Sequence, residues 1–359
     1  GMAPPVGLIQ PYLHVENSET KSRLAGIIEV SGMLEQLTRL KIEPASEQDI
    51  LGVHTQRHVD RIKEQSADLH GGDAGDGWSP FGTGSYEIAL LAAGATISAT
   101  SAVLAGEVDN AYALVRPPGH HAERDLGRGF CIFNNIAVAV AWARAHHGVE
   151  RVAVVDYDVH HGNGTQEIFY SDPNTLTISL HQNRLFPSDS GMHSETGIGA
   201  GEGFALNIPL PAGSGNGAYV AAFERGGLPA LRLFRPELIL VASGFDASIN
   251  DPLGRMLVTA SGYRRFTALL MEAADELCDG RLVMSHEGGY SAVYVPFCGV
   301  AVLEELSGIR TEVVDPFAGF WEDLPGQQLE PWQSQIINQA GALLPLLEAK
   351  TSTNRAKAG

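Results

Sequence analysis

The sequence predicts one α/β domain built on a mostly parallel sheet with helices on both faces. Three observations lead there. Six short segments are apolar almost without interruption, several of the stretches between them carry helical periodicity, and no composition break, repeat or low-complexity linker divides the chain. The 359 residues, 44% hydrophobic and 18% charged, describe an ordinary core-forming protein. That length allows two or three domains but is equally compatible with a single large one. We place the domain at residues 1–349 and expect the polar ending KTSTNRAKAG, residues 350–359, to be a disordered tail.

In chain order the strands are AYALVR (111–116), RVAVVDYD (151–158), TLTISLH (175–181), FALNIPL (204–210), ELILVASGF (237–245) and RLVMSHE (281–287). Most are continuously apolar, as strands covered on both faces are. Residues 132–147, 218–234 and 261–278 read as helices. The uncharged run 88–105, IALLAAGATISATSAVLA, approaches membrane-spanning length but is broken by Thr96, Ser98, Thr100 and Ser101, so it reads as a small-residue buried helix and no membrane partner is expected. The first twenty residues lack the basic start and apolar centre of a signal peptide. Cys131, Cys278 and Cys298 are too few and too scattered for a disulfide framework or a CxxC zinc site, so a reducing cytoplasm is the expected location. A net charge of −18 argues against a nucleic-acid partner and mildly favours cationic or neutral substrates, although solubility alone would explain it.

Open α/β sheets bind ligands at the carboxyl ends of their strands, and the polar motifs all fall there: RPPGHHAE, DYDVHHGNG, SLHQNRLFP, SGFDASINDP and HEGGYS. Side chains alternate in extended chain, so Asp156, Asp158 and His160 share one face. Burying such a cluster is costly unless its members are hydrogen-bonded, as at an ordinary strand end, or wrapped around a cation. Five strand ends deliver His120, His121, Asp158, His160, Asp246 and Tyr290 to one rim. Asp158, His160 and Asp246 make a three-ligand set with an open fourth position, the arrangement of a catalytic zinc, although iron(II) also suits two oxygens and one nitrogen. A water bound there has its pKa lowered toward about 7. The His120–His121 pair, following a rigid PPG turn, supplies proton transfer, or else packs structurally. Tyr290 follows Gly288 and Gly289, whose backbone freedom lets its hydroxyl approach a developing oxyanion. Phe130 and Phe186 are either the walls of a narrow channel or core. Asp73 and Asp76 sit in a flexible acidic turn, and most Asp-Gly turns are only turns.

With PPGHHA, DYDVHHGNGTQ, SLHQNRLFP, SGFDASINDP and EGGYS in this order, the chain resembles the histone deacetylase family from about His14 to Arg310, specifically the bacterial class II-like amidohydrolases. The resemblance implies an arginase/deacetylase-like fold, zinc on Asp158, His160 and Asp246, and removal of an acyl group from an amide nitrogen. It further implies His121 as general base and acid, His120 as its electrostatic partner backed by Asp156, and Tyr290 as the phenol that polarises the carbonyl. Phe130 and Phe186, with Gly129 and Gly289, would line an acyl-lysine tunnel, and Asp76 would hold the substrate backbone at its mouth. The family commonly holds potassium near Asp156, Asp158, His160, Ser179 and Leu180. The implied partners are an acylated lysine or acetylated amine, and a homo-oligomer is compatible. Two departures matter. Asn163 stands where class I relatives place an Asp beside the second histidine, which should leave His121 less basic. The family's usual opening strand, ahead of HVENSETKSRL, has no evident counterpart, so an edge strand is expected to be missing and the start codon to lie upstream.

Three other readings stay in view. An acetylpolyamine amidohydrolase fits the same residues. A binuclear ureohydrolase echoes SGFDASINDP but needs further carboxylates where Gly162 and Ser248 stand, and another metal histidine. A silent acyl-lysine or polyamine binding module would need none of the proton-transfer groups.

Overall fold

Six parallel strands form the centre of the computed structural model, which describes residues 14–358. They are β1 (Asn110–Ala113), β2 (Val152–Asp156), β3 (Thr175–Gln182), β4 (Ala205–Leu210), β5 (Leu238–Ser243) and β6 (Leu282–His286), each within one of the six segments read from the sequence or one residue beyond it. Their spatial order is β1-β6-β5-β2-β3-β4. The expected absence of an opening strand concerns residues ahead of His14 and lies outside the described residues.

The apolar runs have the cause inferred for them. β2, β4, β5 and β6 are buried along their whole length, and alternate residues feed two separate cores. Ala153, Val155, Ile239, Val241 and Met284 face the helices Glu19–Val30, Ala260–Cys278 and Val295–Ser307. Val152, Val154, Leu238, Leu240 and Val283 face Gln56–Ala67, Ser85–Leu104 and Asn135–His147. Pro209, which has no N–H to give a ladder, lies in β4, an edge strand.

Ser85–Leu104 is the small-residue buried helix expected, and the one helix among the described residues long and apolar enough to cross a membrane. Thr96, Ser98 and Thr100 return their hydroxyls to helix carbonyls four residues back, and Thr96 also meets Ser285 Oγ of β6 at 3.2 Å.

Two expectations need correction. The helix read at 218–234 begins at Asn216 and passes through a π-helical turn, Phe223–Gly227, before Leu228–Phe234. Pro229 has no N–H for a regular α-helical bond, and the wider turn accommodates it. The ending expected to be disordered is helical as far as Ala358, within Leu344–Ala358. Thr351 is buried there with its hydroxyl on Leu347 O, and Lys350 pairs with Glu202 at 2.5 Å. A polar composition is compatible with a helix when one face has a body to pack against.

Candidate active site

The strand order locates the site. From β2 the chain moves outward through β3 and β4, then returns to β5 on the other side of β2 and continues outward to β6. The crevice between the carboxyl ends of β2 and β5 is therefore the topological switch point. Asp158 and His160 follow β2, and Asp246 follows β5.

Their donor atoms, one from each residue, lie within 4.8 Å of one another; among the described residues this is the single group of three His, Cys, Asp or Glu side chains that could hold a metal ion. His160 Nδ1 is 3.0 Å from Asp158 Oδ1 and 3.1 Å from Asp246 Oδ2. The cluster forms less by strand alternation than by local turns, because β2 ends at Asp156. Asp156 Oδ1 accepts Asp158 N–H at 3.0 Å, and Asp158 Oδ1 accepts His160 N–H at 2.9 Å, so each carboxylate turns the chain toward the next ligand. Gly288 N–H donates to Asp158 Oδ2 and Val159 N–H to Asp246 Oδ1, both at 2.8 Å. A side chain on Gly288 would run into both carboxylates.

Charge balance tests whether a cation fits. Asp158 and Asp246 are fully buried, and their ion-pair partners among the described residues are histidines only. Burial, then the neighbouring Asp158, pushes Asp246 up to about 6. Burial alone would lower His160, yet the Asp246 and Asp158 carboxylates outweigh it and hold the imidazole up at about 10. Two buried carboxylates thus draw positive charge to the point where three ligand atoms meet, and a dication fits that demand better than a single proton.

Beside this set His120 and His121 stack with ring centroids 4.0 Å apart. His120 Nδ1 meets Asp156 Oδ2 at 2.9 Å, whereas His121 Nδ1 meets the Asn163 side-chain oxygen at 2.8 Å. Their pKa values move oppositely. Burial opposes charge on His120, but Asp158 and Asp156 prevail and raise it well above the ordinary imidazole value. Burial, then the positive His120, drives His121 well below it. The two rings are thus pushed in opposite directions, His120 toward the cation and His121 toward the free base.

The rim closes over these groups. Phe186 stands edge-on to His121 at 4.9 Å and to His160 at 6.2 Å, while Phe130 stands edge-on to Tyr290 at 6.0 Å. Gly129, at φ 56°, lies so near the His121 and Phe186 rings that a Cβ would meet both. Gly289, at φ 119°, turns the chain against Phe245 and aims the following Tyr290, whose N–H donates to Asp251 Oδ2 at 2.7 Å. Burial, then the charges of Asp246 and Asp158, raises the Tyr290 pKa well above its usual value, so the phenol stays a donor at neutral pH. Asp76 is half-buried and already engaged: its carboxylate takes N–H groups from Trp78 (2.9 Å) and Gly129 (2.8 Å) and the Ser79 hydroxyl (3.1 Å), which leaves one of its four acceptor positions. Nor is the acidic turn loosely held, since Asp73 accepts N–H groups from Gly75, Gly77 and Ser79. Ser179 lies opposite Asp156 in the β2–β3 register, and both line a cavity of about 10 Å³, with Gly162, Thr165 and Asn207. Leu180 is fully buried beside Ser179.

Sequence reading overlooked three acids. Fully buried Glu287 accepts Gly119 N–H (2.6 Å) and His120 N–H (3.1 Å), fixing the histidine loop. Asp251 holds Tyr290, and Glu123 accepts from Asn163 Nδ2 at 2.8 Å. Each lies inside or beside a motif already singled out, and that adjacency was the available signal.

Comparisons with known proteins agree with this geometry. Residues 14–306 match the histone deacetylase domain. The chain is 50% identical over 348 residues to a histone deacetylase-like amidohydrolase of Pseudomonas aeruginosa, covering 96% of this chain and 91% of that protein. It is 39% identical over 308 residues to a probable deacetylase of Archaeoglobus fulgidus, covering 85% and 84%. The crystal structure of the HDA15 HD domain superposes with a TM-score of 0.84 at 31% identity, covering 97% of this chain and 94% of that one. The fold, the six-stranded sheet and these likenesses leave one assignment: the chain belongs to the histone deacetylase family and is a deacetylase-type amidohydrolase.

Proposed function

We propose that the protein hydrolyses the acyl amide of acetyl-lysine-type substrates with one zinc ion held by Asp158, His160 and Asp246. The observation that carries this reading is the geometry: a buried Asp-His-Asp set at the switch point with two adjacent histidines beside it, one held by Asp156 and the other by Asn163. Zinc at an open three-ligand site supplies a water acidified toward about pKa 7 and a Lewis acid for the amide carbonyl. His121 would take the water's proton and later give one to the departing amine. His120, held cationic on Asp156, stabilises negative charge as it develops, and the Tyr290 hydroxyl donates to the carbonyl oxygen. Phe130 and Phe186 would flank the apolar stem of an acyl-lysine and exclude water from the reacting atoms. The cavity of about 10 Å³ at Asp156 and Ser179 has room for one water-sized occupant, and of the residues expected near potassium these two line it. Cys131, Cys278 and Cys298 are buried and unpaired, which supports a reducing cytoplasm as its compartment.

The test is a kcat/KM panel of acetyl-lysine and trifluoroacetyl-lysine peptides against acetylputrescine and acetylspermidine, with metal analysis of the purified protein. Acyl-lysine peptides should be the better substrates, with roughly one zinc per chain that Asp246→Ala loses. A tenfold preference for the polyamines, about 1.4 kcal/mol in transition-state binding, would move the assignment to acetylpolyamine hydrolysis. Two tightly bound metal ions would end the single-zinc reading.

A further inference from the structure

A side-chain amide has two faces of nearly the same shape, one accepting and one donating. With its oxygen toward His121, Asn163 requires a proton on Nδ1 and leaves Nε2 as a free base. Turned over, it would present N–H, demand a bare Nδ1 and put the imidazole proton on Nε2. Nothing in the His121–Asn163 contact of 2.8 Å selects between these states. The selection comes from the far side of the amide, where Asn163 Nδ2 lies 2.8 Å from Glu123 Oε1. A carboxylate can only accept, so the NH2 must face Glu123 and the oxygen must face His121. Arg128 Nη1 donates to the same Glu123 oxygen at 3.2 Å and holds it in place. The Arg128 guanidinium lies 5.3 Å over the Phe186 ring, and that ring stands against His121, so the connection closes into a loop of five side chains.

We propose that Glu123 is a positioning residue: its carboxylate orients the Asn163 amide and thereby imposes the tautomer of His121 whose Nε2 can accept a proton. The idea deepens the amidohydrolase reading and rests on it for its effect on turnover. It also gives the Asn at position 163 a consequence that an Asp would not have. An Asp accepts at both oxygens and needs no orienting partner, whereas an Asn works only while something holds it the right way round.

The experiment is a two-by-two set: the zinc-loaded native protein, Glu123→Met, Asn163→Asp and the double substitution. Methionine keeps the length of the side chain and removes the acceptor, whereas a glutamine oxygen held by Arg128 would still accept from Asn163. Glu123 is about a quarter exposed, so folding should survive; a thermal melt checks it. In the native background Glu123→Met should lower kcat about five- to twentyfold with KM nearly unchanged, a share of the roughly 10²- to 10⁴-fold that acid–base catalysis contributes. In the Asn163→Asp background the same change should leave kcat unaltered or raise it, because a carboxylate beside a carboxylate is then removed. Nitrogen-15 NMR of His121 at mildly alkaline pH should show protonated Nδ1 in the native protein and a tautomer mixture in Glu123→Met. Equal losses in both backgrounds, or an unchanged His121 spectrum, would overturn the proposal and leave Glu123 a structural residue. If the native protein cleaves no amide in the substrate panel, the functional reading fails, and the spectrum still decides the role of Glu123.

Discussion

Two pairs of buried histidines sit in this molecule in contrasting company. His120 and His121 stack at 4.0 Å with a 39° tilt; His54 and His58 lie 5.3 Å apart with a 43° tilt. All four are at most 3% exposed. The first pair leans on Asp156 and Asn163. In the second pair His54 meets the Glu123 carbonyl at 2.9 Å, and His58 meets the Ile132 carbonyl at 2.8 Å. Burial, followed by its neighbour His58, pushes His54 down to about 3, and burial takes His58 down to about 4 despite its carbonyl partner. Burial, with the charges of Arg61 and Arg57 beside His58, therefore lowers both members of this histidine pair, which have no carboxylate to oppose it. In the first pair the Asp158 and Asp156 carboxylates outweigh burial and raise His120, and its charge in turn pushes the neighbouring His121 further down. Burial of a histidine pair says nothing of catalysis until the partners are known.

Substitutions can break this contrast. The largest effects belong to the first pair: His121→Ala removes the proposed base and Asp156→Asn removes one of the two carboxylates that raise His120, and each should lower kcat/KM on the order of 10³-fold. Steady-state kinetics on a good acyl-lysine peptide would measure it, and retention of a tenth of native activity by either variant would mean that the split is not used. Tyr290→Phe leaves both pairs intact and removes one donor, so the loss should be smaller, roughly 10²-fold, with zinc content unchanged. Coincident loss of zinc would instead assign the phenol a structural role.

The second pair should respond in stability rather than rate. His58→Ala leaves the Ile132 carbonyl without its ring partner and should cost about 1–3 kcal/mol by urea unfolding, with kcat/KM within about threefold of native. A collapse of turnover at native stability would make that pair functional after all. The smallest effect is with pH. Both rings have folded values, about 3 and about 4, below the free value of 6.5. The unfolded chain therefore binds more protons between pH 6.5 and about 4, so stability falls on acidification through that window. The slope is at most about 1.4 kcal/mol per pH unit for each ring, and His58→Asn should remove its share. An identical urea-midpoint slope in native and variant protein would show that His58 does not titrate as described.

Much of this was readable in one dimension because the physics behind it is local. A strand covered on both faces must be apolar at consecutive positions, so β2, β5 and β6 announced themselves. The carboxyl ends of five strands carried the motif residues, so the rim could be assembled without knowing which strands were neighbours. Asp76 illustrates the limit. Its acidity and its Gly-rich setting were visible, yet its carboxylate is committed to Gly129, more than fifty residues on, and sequence spacing carries no trace of that pairing.

The sequence by itself determined the parallel sheet, the buried Ser85–Leu104 helix, and the Asp-His-Asp group, two histidines and tyrosine at the carboxyl ends of the strands, since each follows from residue type, periodicity or position after a strand. Only the tertiary structure decided the strand order that makes β2 and β5 neighbours, the helical fate of residues 350–358, and the partners that shift His120 and His121 in opposite directions. It alone joined Glu123 to Asn163, forty residues apart. The physical reason is range: backbone preference and hydrophobic patterning are written into neighbouring residues, whereas protonation and amide orientation depend on which groups, distant in the chain, fill the last 3 Å around a buried atom.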